Sequence, residues 1–175
     1  MNLLIRLFAT IVAGIFWIPR VGPLDNCVTP FRVAPTDLDV IGHMNNGVYL
    51  SLLDVARVDY LVRCGVFWKG IKKRWYPVVA GQSIEYRRSL PVLRGFQIES
   101  RVAGWDDRAF FIEQIFRSRG EVHAVARVRG QLVKRTGGSV AISEMLALFE
   151  LDPTKNPLTD EILRWIAAQR ELRAK

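Results

Sequence analysis

The chain has 175 residues, half of them hydrophobic, which suits one domain with a substantial core, leaves little room for a second and excludes a disordered protein. With 25 Lys and Arg against 17 Asp and Glu, the net charge is +8, a balance suited to an anionic surface, nucleic acid or a phosphate-bearing small molecule. No zinc-finger spacing, RNA-binding aromatic motif or recognition-helix pattern accompanies that charge, so nucleic acid is not an expected partner.

In chain order, residues 1–18 are nearly all apolar and "PRVGPLDN" then breaks any helix. A bilayer span needs about 17 residues at the least, and Arg6 cuts the uninterrupted part to 7–18. Three readings compete. A signal peptide would lack a small-residue cleavage site; an anchor would have Trp17 and Arg20 at interfacial positions; an ordinary helix would pack on the domain or on a partner subunit. Residues 1–20 are thus expected to form an apolar helix able to attach an otherwise cytoplasmic protein to a membrane, and residues 27–175 the folded domain.

"CVTPFRV" reads as a short strand, at a sheet edge because Pro30 cannot donate to a ladder. Residues 46–64 read as a helix, with Tyr49, Leu52, Leu53, Ala56 and Tyr60 at helical spacing. Asp59 and Arg63, four apart, should pair on its surface, and Gly65 ends it. The period then becomes two. "YPVVAGQSIEYRRSL", "GFQIESRVAGW", "RAFFIEQIFRSRG" and "EVHAVARVRGQLVKR" are strand candidates joined by polar turns, expected to form an antiparallel meander. Residues 143–150 and 159–173 read as closing helices. The layout is α+β, a long helix on an antiparallel sheet. One helix covers only part of one sheet face, so the remaining apolar surface calls for dimerisation or for the C-terminal helices.

Cys27 and Cys64 lie far apart, which indicates no disulfide framework and fits a reducing compartment. With His43 and His123 the only histidines and no cluster at ligand spacing, neither a metal nor a cofactor is expected.

The most informative stretch is "PTDLDVIGHMNNGVYL", residues 35–50. On the residues alone, a D-x-D before a helix is turn and cap chemistry. Together with the long helix and the following strands, "TDLDVIGHMNN" resembles the hotdog-fold acyl-CoA thioesterases of the 4-hydroxybenzoyl-CoA thioesterase type. The residues that carry the resemblance are Asp39, Gly42, His43, Asn45 and Asn46, followed by Tyr49 and "DVAR" at 54–57. "RCGV" and "GWDDRAFF" look like the subgroup called thioesterase superfamily member six, which also has an apolar N-terminal segment. The resemblance implies a hotdog fold, to which the two closing helices are an addition, an acyl-CoA substrate and a homodimer or homotetramer with sites at the subunit interface. It also makes Asp39 the catalytic residue, as general base or nucleophile, and Asn46 the backbone amide that polarises the thioester carbonyl.

Thioester hydrolysis needs a nucleophile and a stabilised oxyanion, and a helix start supplies unpaired N–H groups for the latter. Asn46 and Gly47 are the expected donors, with Asn45 grouped beside them as a substrate-binding residue although it is also an ordinary helix-start residue; His43 either orients the acyl group or Asp39 or is a hydrogen-bonded residue of the turn. Asp37 is read as a cap, and Asp54 on the helix is the reserve acid. Arg87, Arg88, Arg101, Lys134 and Arg135 are candidates for the coenzyme A phosphates, and the basic cluster at Lys69, Lys72, Lys73 and Arg74 can instead meet anionic lipid heads. A dehydratase is disfavoured by the spacing of Asp39 and His43. A catalytically silent acyl-binding or membrane-scaffold protein is the rival reading.

Overall fold

The computed structural model describes residues 3–173; residues 1 and 2 of the apolar N-terminal segment, and the last two of the chain, lie outside the described residues. Five strands, β1 (Cys27–Arg32), β2 (Trp75–Tyr86), β3 (Gly95–Trp105), β4 (Phe110–Ser118) and β5 (Glu121–Lys134), form one antiparallel sheet in the order β1-β3-β4-β5-β2. Helix α2 (Asn46–Arg63) lies on one face, and this is the expected hotdog arrangement. The alternation read from the sequence decides which side chains meet the helix. Ile98, Phe116, Ala124 and Ala126 point to α2 and are buried with its Tyr49, Leu52, Leu53 and Ala56. The small Ala124 and Ala126 leave room for the helix. Burial of Leu52 and Leu53, both at 0 % exposure, contributes about 1.5–3 kcal/mol each.

The expected four-strand meander holds only for β3, β4 and β5. β2 pairs with β5, from Trp75↔Lys134 to Tyr86↔Ala124, while β3 pairs on its other side with β1. The cause is the connection between β2 and β3. Residues 87–94 form no tight hairpin but cross the end of the sheet, where Leu93 N–H bonds Val33 O at 2.9 Å and Val33 N–H bonds Arg94 O at 3.0 Å. That delivers the chain to the β1 side. β1 is an edge strand, as Pro30 requires, and β2 is the other edge.

The C-terminal helices cover part of what α2 leaves open. α5 (Asp160–Arg173) sets Ile162 and Ile166 on Ala103, Ala109 and Phe111 of the outer sheet face, and Trp165 Nε1–H donates to Ser83 Oγ at 2.8 Å. α4 (Ile142–Phe149) packs Met145, Leu146 and Phe149 against Trp105 and Leu132. An eight-residue helix absent from the sequence reading, α3 (Val66–Lys73), joins α2 to β2. Gly65, at φ +77°, starts it as well as ending α2.

Helix α1 (Leu3–Phe16) packs on α2, and among the described residues no helix is long and apolar enough to cross a membrane. Arg6, the charge that interrupts the apolar run, is buried: its guanidinium donates to the Asp37 carboxylate at 2.6 Å. At the other end, a Cβ on Gly14 would lie 2.9 Å from Asp59 Oδ1 and 3.3 Å from Arg63 Cγ, so only glycine lets the helices approach this closely.

That approach overturns one expectation. Asp59 and Arg63 do pair, at 3.4 Å, but both are buried rather than on the surface. α2 has two covered sides, the sheet and α1, and the spacing rule registers only the first. Thr29 Oγ–H donates to Asp59 at 2.7 Å. Burial still pushes the Asp59 carboxyl up, with Thr29 and Arg63 opposing. Its Oδ1 accepts no hydrogen bond among the described residues.

Candidate active site

The chain leaves β1 through a 3-10 turn at Pro35–Asp37 and reverses in a narrow loop before α2. The loop is closed by a bridge between Leu38 and Met44 and by Asp39 N–H to His43 O at 2.8 Å. Gly42 sits at φ +85°, where an L side chain is strained by about 1–2 kcal/mol. Asp39 Oδ1 accepts from Ile41 N–H at 2.9 Å and His43 N–H at 3.2 Å. The turn-capping role read from D-x-D is therefore real for Asp39, and the two amides fix its carboxylate while Oδ2 keeps no hydrogen bond among the described residues. Asp37 caps too: its carboxylate accepts from Ala34 N–H at 2.7 Å, and its carbonyl accepts from Asn45 N–H at 2.8 Å. Its ion pair with Arg6 had no local signal.

Asn45 is the N-cap of α2, and its Oδ1 accepts from Gly47 N–H at 2.8 Å. Of the two amides expected to face an oxyanion, Gly47 is thus engaged by the cap. The Asn46 N–H makes no hydrogen bond among the described residues. No acidic side chain lies in the first turn of α2, so the partial positive charge of the helix start is not offset locally. His43, Asn45, Asn46 and Gly47 are all exposed and Asp39 half-exposed.

The floor of this corner comes from residues the sequence did not single out. Met44 N–H bonds Leu90 O at 3.0 Å, His43 bridges to Pro91, and Tyr86 O–H donates to Asn46 O at 3.2 Å. These are contacts between segments at least 40 residues apart, which no local pattern encodes. They bring Arg87 and Arg88 to the same end of the sheet as Asp39, although Arg87 pairs with Glu85 and Arg88 with Glu121. Arg101 is elsewhere, on the sheet face away from α2 and paired with Glu113 at 2.6 Å. Lys134 and Arg135 lie at the opposite end of β5, beside Trp75, with Lys134 held by Glu144. Asp54 is largely exposed and pairs with the buried Arg57, which also donates to Gln114 Oε1 at 2.7 Å.

The chain offers no activated cysteine to compete with Asp39. Burial pushes the Cys27 thiol up to about 12 and raises that of Cys64, so both are protonated at neutral pH.

The Thioesterase-like superfamily matches residues 33–166, a span running from the end of β1 into α5. The chain belongs to this family. Protein THEM6 of Danio rerio is 33% identical over 150 residues, covering 82% of this chain and 72% of the relative; Protein THEM6 of Xenopus laevis is 34% identical over 149 residues, 82% and 70%. Among solved structures, the YbaW probable thioesterase from Escherichia coli superposes with TM-score 0.67 at 26% identity, covering 70% of this chain and 96% of that one. BH1999 gentisyl-coenzyme A thioesterase gives TM-score 0.62 at 20% identity, 69% and 99%, a likeness of fold. Family and fold together support thioester hydrolysis in general terms.

Proposed function

We propose that the protein hydrolyses an acyl-CoA thioester to the free acid and coenzyme A, with Asp39 as general base or nucleophile. The observation that carries this is the Asp39 carboxylate, held through Oδ1 by two amides, in the loop that leads into a helix start whose Asn46 N–H has no partner among the described residues. A thioester carbonyl placed at that N–H gains charge stabilisation as it becomes an oxyanion. A carboxylate then either deprotonates water or attacks directly. His43 and Asn45 border the same position, and Arg87 and Arg88 are the basic residues nearest to it for phosphate. Asp54, spent on Arg57, is the weaker candidate.

The site is open in one copy of the chain, and β2 is a long edge strand, a template for a second copy. Two copies joined antiparallel along β2 set the Trp75 end of one beside the Tyr86 end of the other, so Lys134 and Arg135 approach the second copy's helix start. Membrane contact, on this reading, is made by the exposed side of α1, with Phe8 71 % exposed, and lies on the surface; carbonate washing should release the protein.

The test is thiol release from acyl-CoA. Asp39→Asn keeps an oxygen for the turn, so folding should be unchanged while turnover falls about 100- to 10,000-fold. A fully active Asp39→Asn removes Asp39 from the mechanism, and acyl-CoA binding without any turnover in the native protein would favour the silent acyl-binding reading. Oxygen-18 entering Asp39 in a single turnover would mark it as nucleophile.

A further inference from the structure

The floor of the Asp39 corner is the chain that leaves β2, and one histidine on the neighbouring strand holds that chain. The ladder between β2 and β5 ends at Tyr86↔Ala124. On the other side of β5, Ala124 faces Phe116 and Val122 faces Arg117. His123, between them, is the extra residue of a β-bulge. A bulge leaves one residue out of the ladder and re-aims its side chain. The freed carbonyl of His123 accepts from Arg87 N–H at 2.8 Å and from Arg88 N–H at 3.1 Å. The ring sets Nδ1 3.2 Å from Ser89 O, 34 residues away in sequence. A carbonyl oxygen only accepts, so this contact places a proton on Nδ1. A single buried residue thereby bonds three consecutive residues of the crossing.

The next two residues of the crossing carry the corner. Leu90, fully buried, accepts Met44 N–H at 3.0 Å, and Pro91 bridges to His43. His43 and Met44 in turn close the loop that bears Asp39, through Asp39 N–H to His43 O and the bridge between Met44 and Leu38. Just before the crossing, Tyr86 O–H bonds Asn46 O in the first turn of α2. The chain from Tyr86 to Pro91 therefore touches both halves of the site, the Asp39 loop and the helix start. Residues 87–90 belong to no helix or strand, so their path is set by the groups they bond.

We infer that His123 is a positioning residue for thioester hydrolysis, acting through residues 87–91 and not on the reacting atoms, an assignment that rests on the function proposed above. Without the Nδ1–H, Ser89 O loses its donor and Leu90 O can drift from Met44 N–H. A remote change that misplaces a reacting group by about 1 Å lowers the rate about 100-fold, and a smaller drift, with the Arg87 and Arg88 bonds kept, should lower it about ten-fold.

Three substitutions separate the donor from mere bulk. Asn carries an amide N–H at the position of Nδ1–H, Gln carries it one bond farther out, and Leu has none. In thiol release from acyl-CoA by the full chain, His123→Leu and His123→Gln should lower kcat about ten-fold with KM changed less than about two-fold. His123→Asn should restore most of kcat. Amide hydrogen exchange followed by NMR reads the same device without turnover. Met44 N–H should exchange about ten-fold faster in the Leu and Gln variants and near the native rate in the Asn variant. Val128 N–H, within the ladder, should not change. A native protein that releases no thiol would remove the proposed function, while exchange at Met44 would still decide whether His123 holds the corner. Native kcat in His123→Leu, kcat losses that follow Tm and are not restored by Asn, or unchanged exchange at Met44 would each overturn the assignment.

Discussion

Arg6→Ala is expected to be among the most damaging single changes on α1, although it lies on a helix rich in exposed apolar side chains. The ion pair with Asp37 is 2.6 Å long, with side chains only 5 % and 6 % exposed, so solvent screening does not discount it. Removing one partner of such a pair leaves the other buried and uncompensated, a loss of about 3–5 kcal/mol. The lower end applies, because Arg6 Nε is buried without a partner among the described residues and the pair is incompletely satisfied. At roughly 2–4 °C per kcal/mol for a domain of this size, Tm should fall by roughly 6–12 °C in calorimetry. The effect should reach the site, since the Asp37 carbonyl holds Asn45 N–H at the start of α2; turnover should fall with stability. Arg6→Met combined with Asp37→Asn removes both charges, keeps an acceptor for Ala34 N–H, and should recover most of the loss. A Tm within a degree of native for Arg6→Ala would mean that α1 is not docked as described.

Gly14→Leu should undock α1 by steric conflict with Asp59 and Arg63 and lower Tm by several degrees, whereas Ala at the neighbouring exposed Ile15 should be nearly silent; equal effects would refute the close approach. Asp59→Asn tests the buried carboxyl. Because burial raises Asp59 in the folded state, the stability tied to its proton is present below its unfolded value of about 3.9 and lost as pH rises through the folded value. The Tm of Asp59→Asn relative to native should therefore climb from pH 4 upward, and a flat difference would contradict the sign. Gly42→Ala should cost about 1–2 kcal/mol in urea denaturation and reduce turnover by loosening the loop that carries Asp39. Val79→Glu, on the exposed edge strand, should shift sedimentation toward the single chain; an unchanged sedimentation profile would refute pairing along β2.

Sequence periodicity determined much of this protein. Period-two runs placed β2 to β5, helical spacing placed α2, and Pro30 placed β1 at an edge, because each rests on the geometry of neighbouring residues. The D-x-D-x-x-G-H-x-N-N stretch likewise marked the loop and helix start that form the candidate site. The sheet order was decided by tertiary structure, through the 87–94 crossing that sends β2 to β5. The same holds for the second covered face of α2, which turned a supposed surface pair, Asp59 and Arg63, into a buried one. Arg6 shows the difference most plainly: as a letter it interrupts an apolar run, and only the position of Asp37, 31 residues away, gives its charge a partner. Local spacing fixes how a segment folds; which distant groups share a low-dielectric interior depends on the packing of segments that carry no mark of one another.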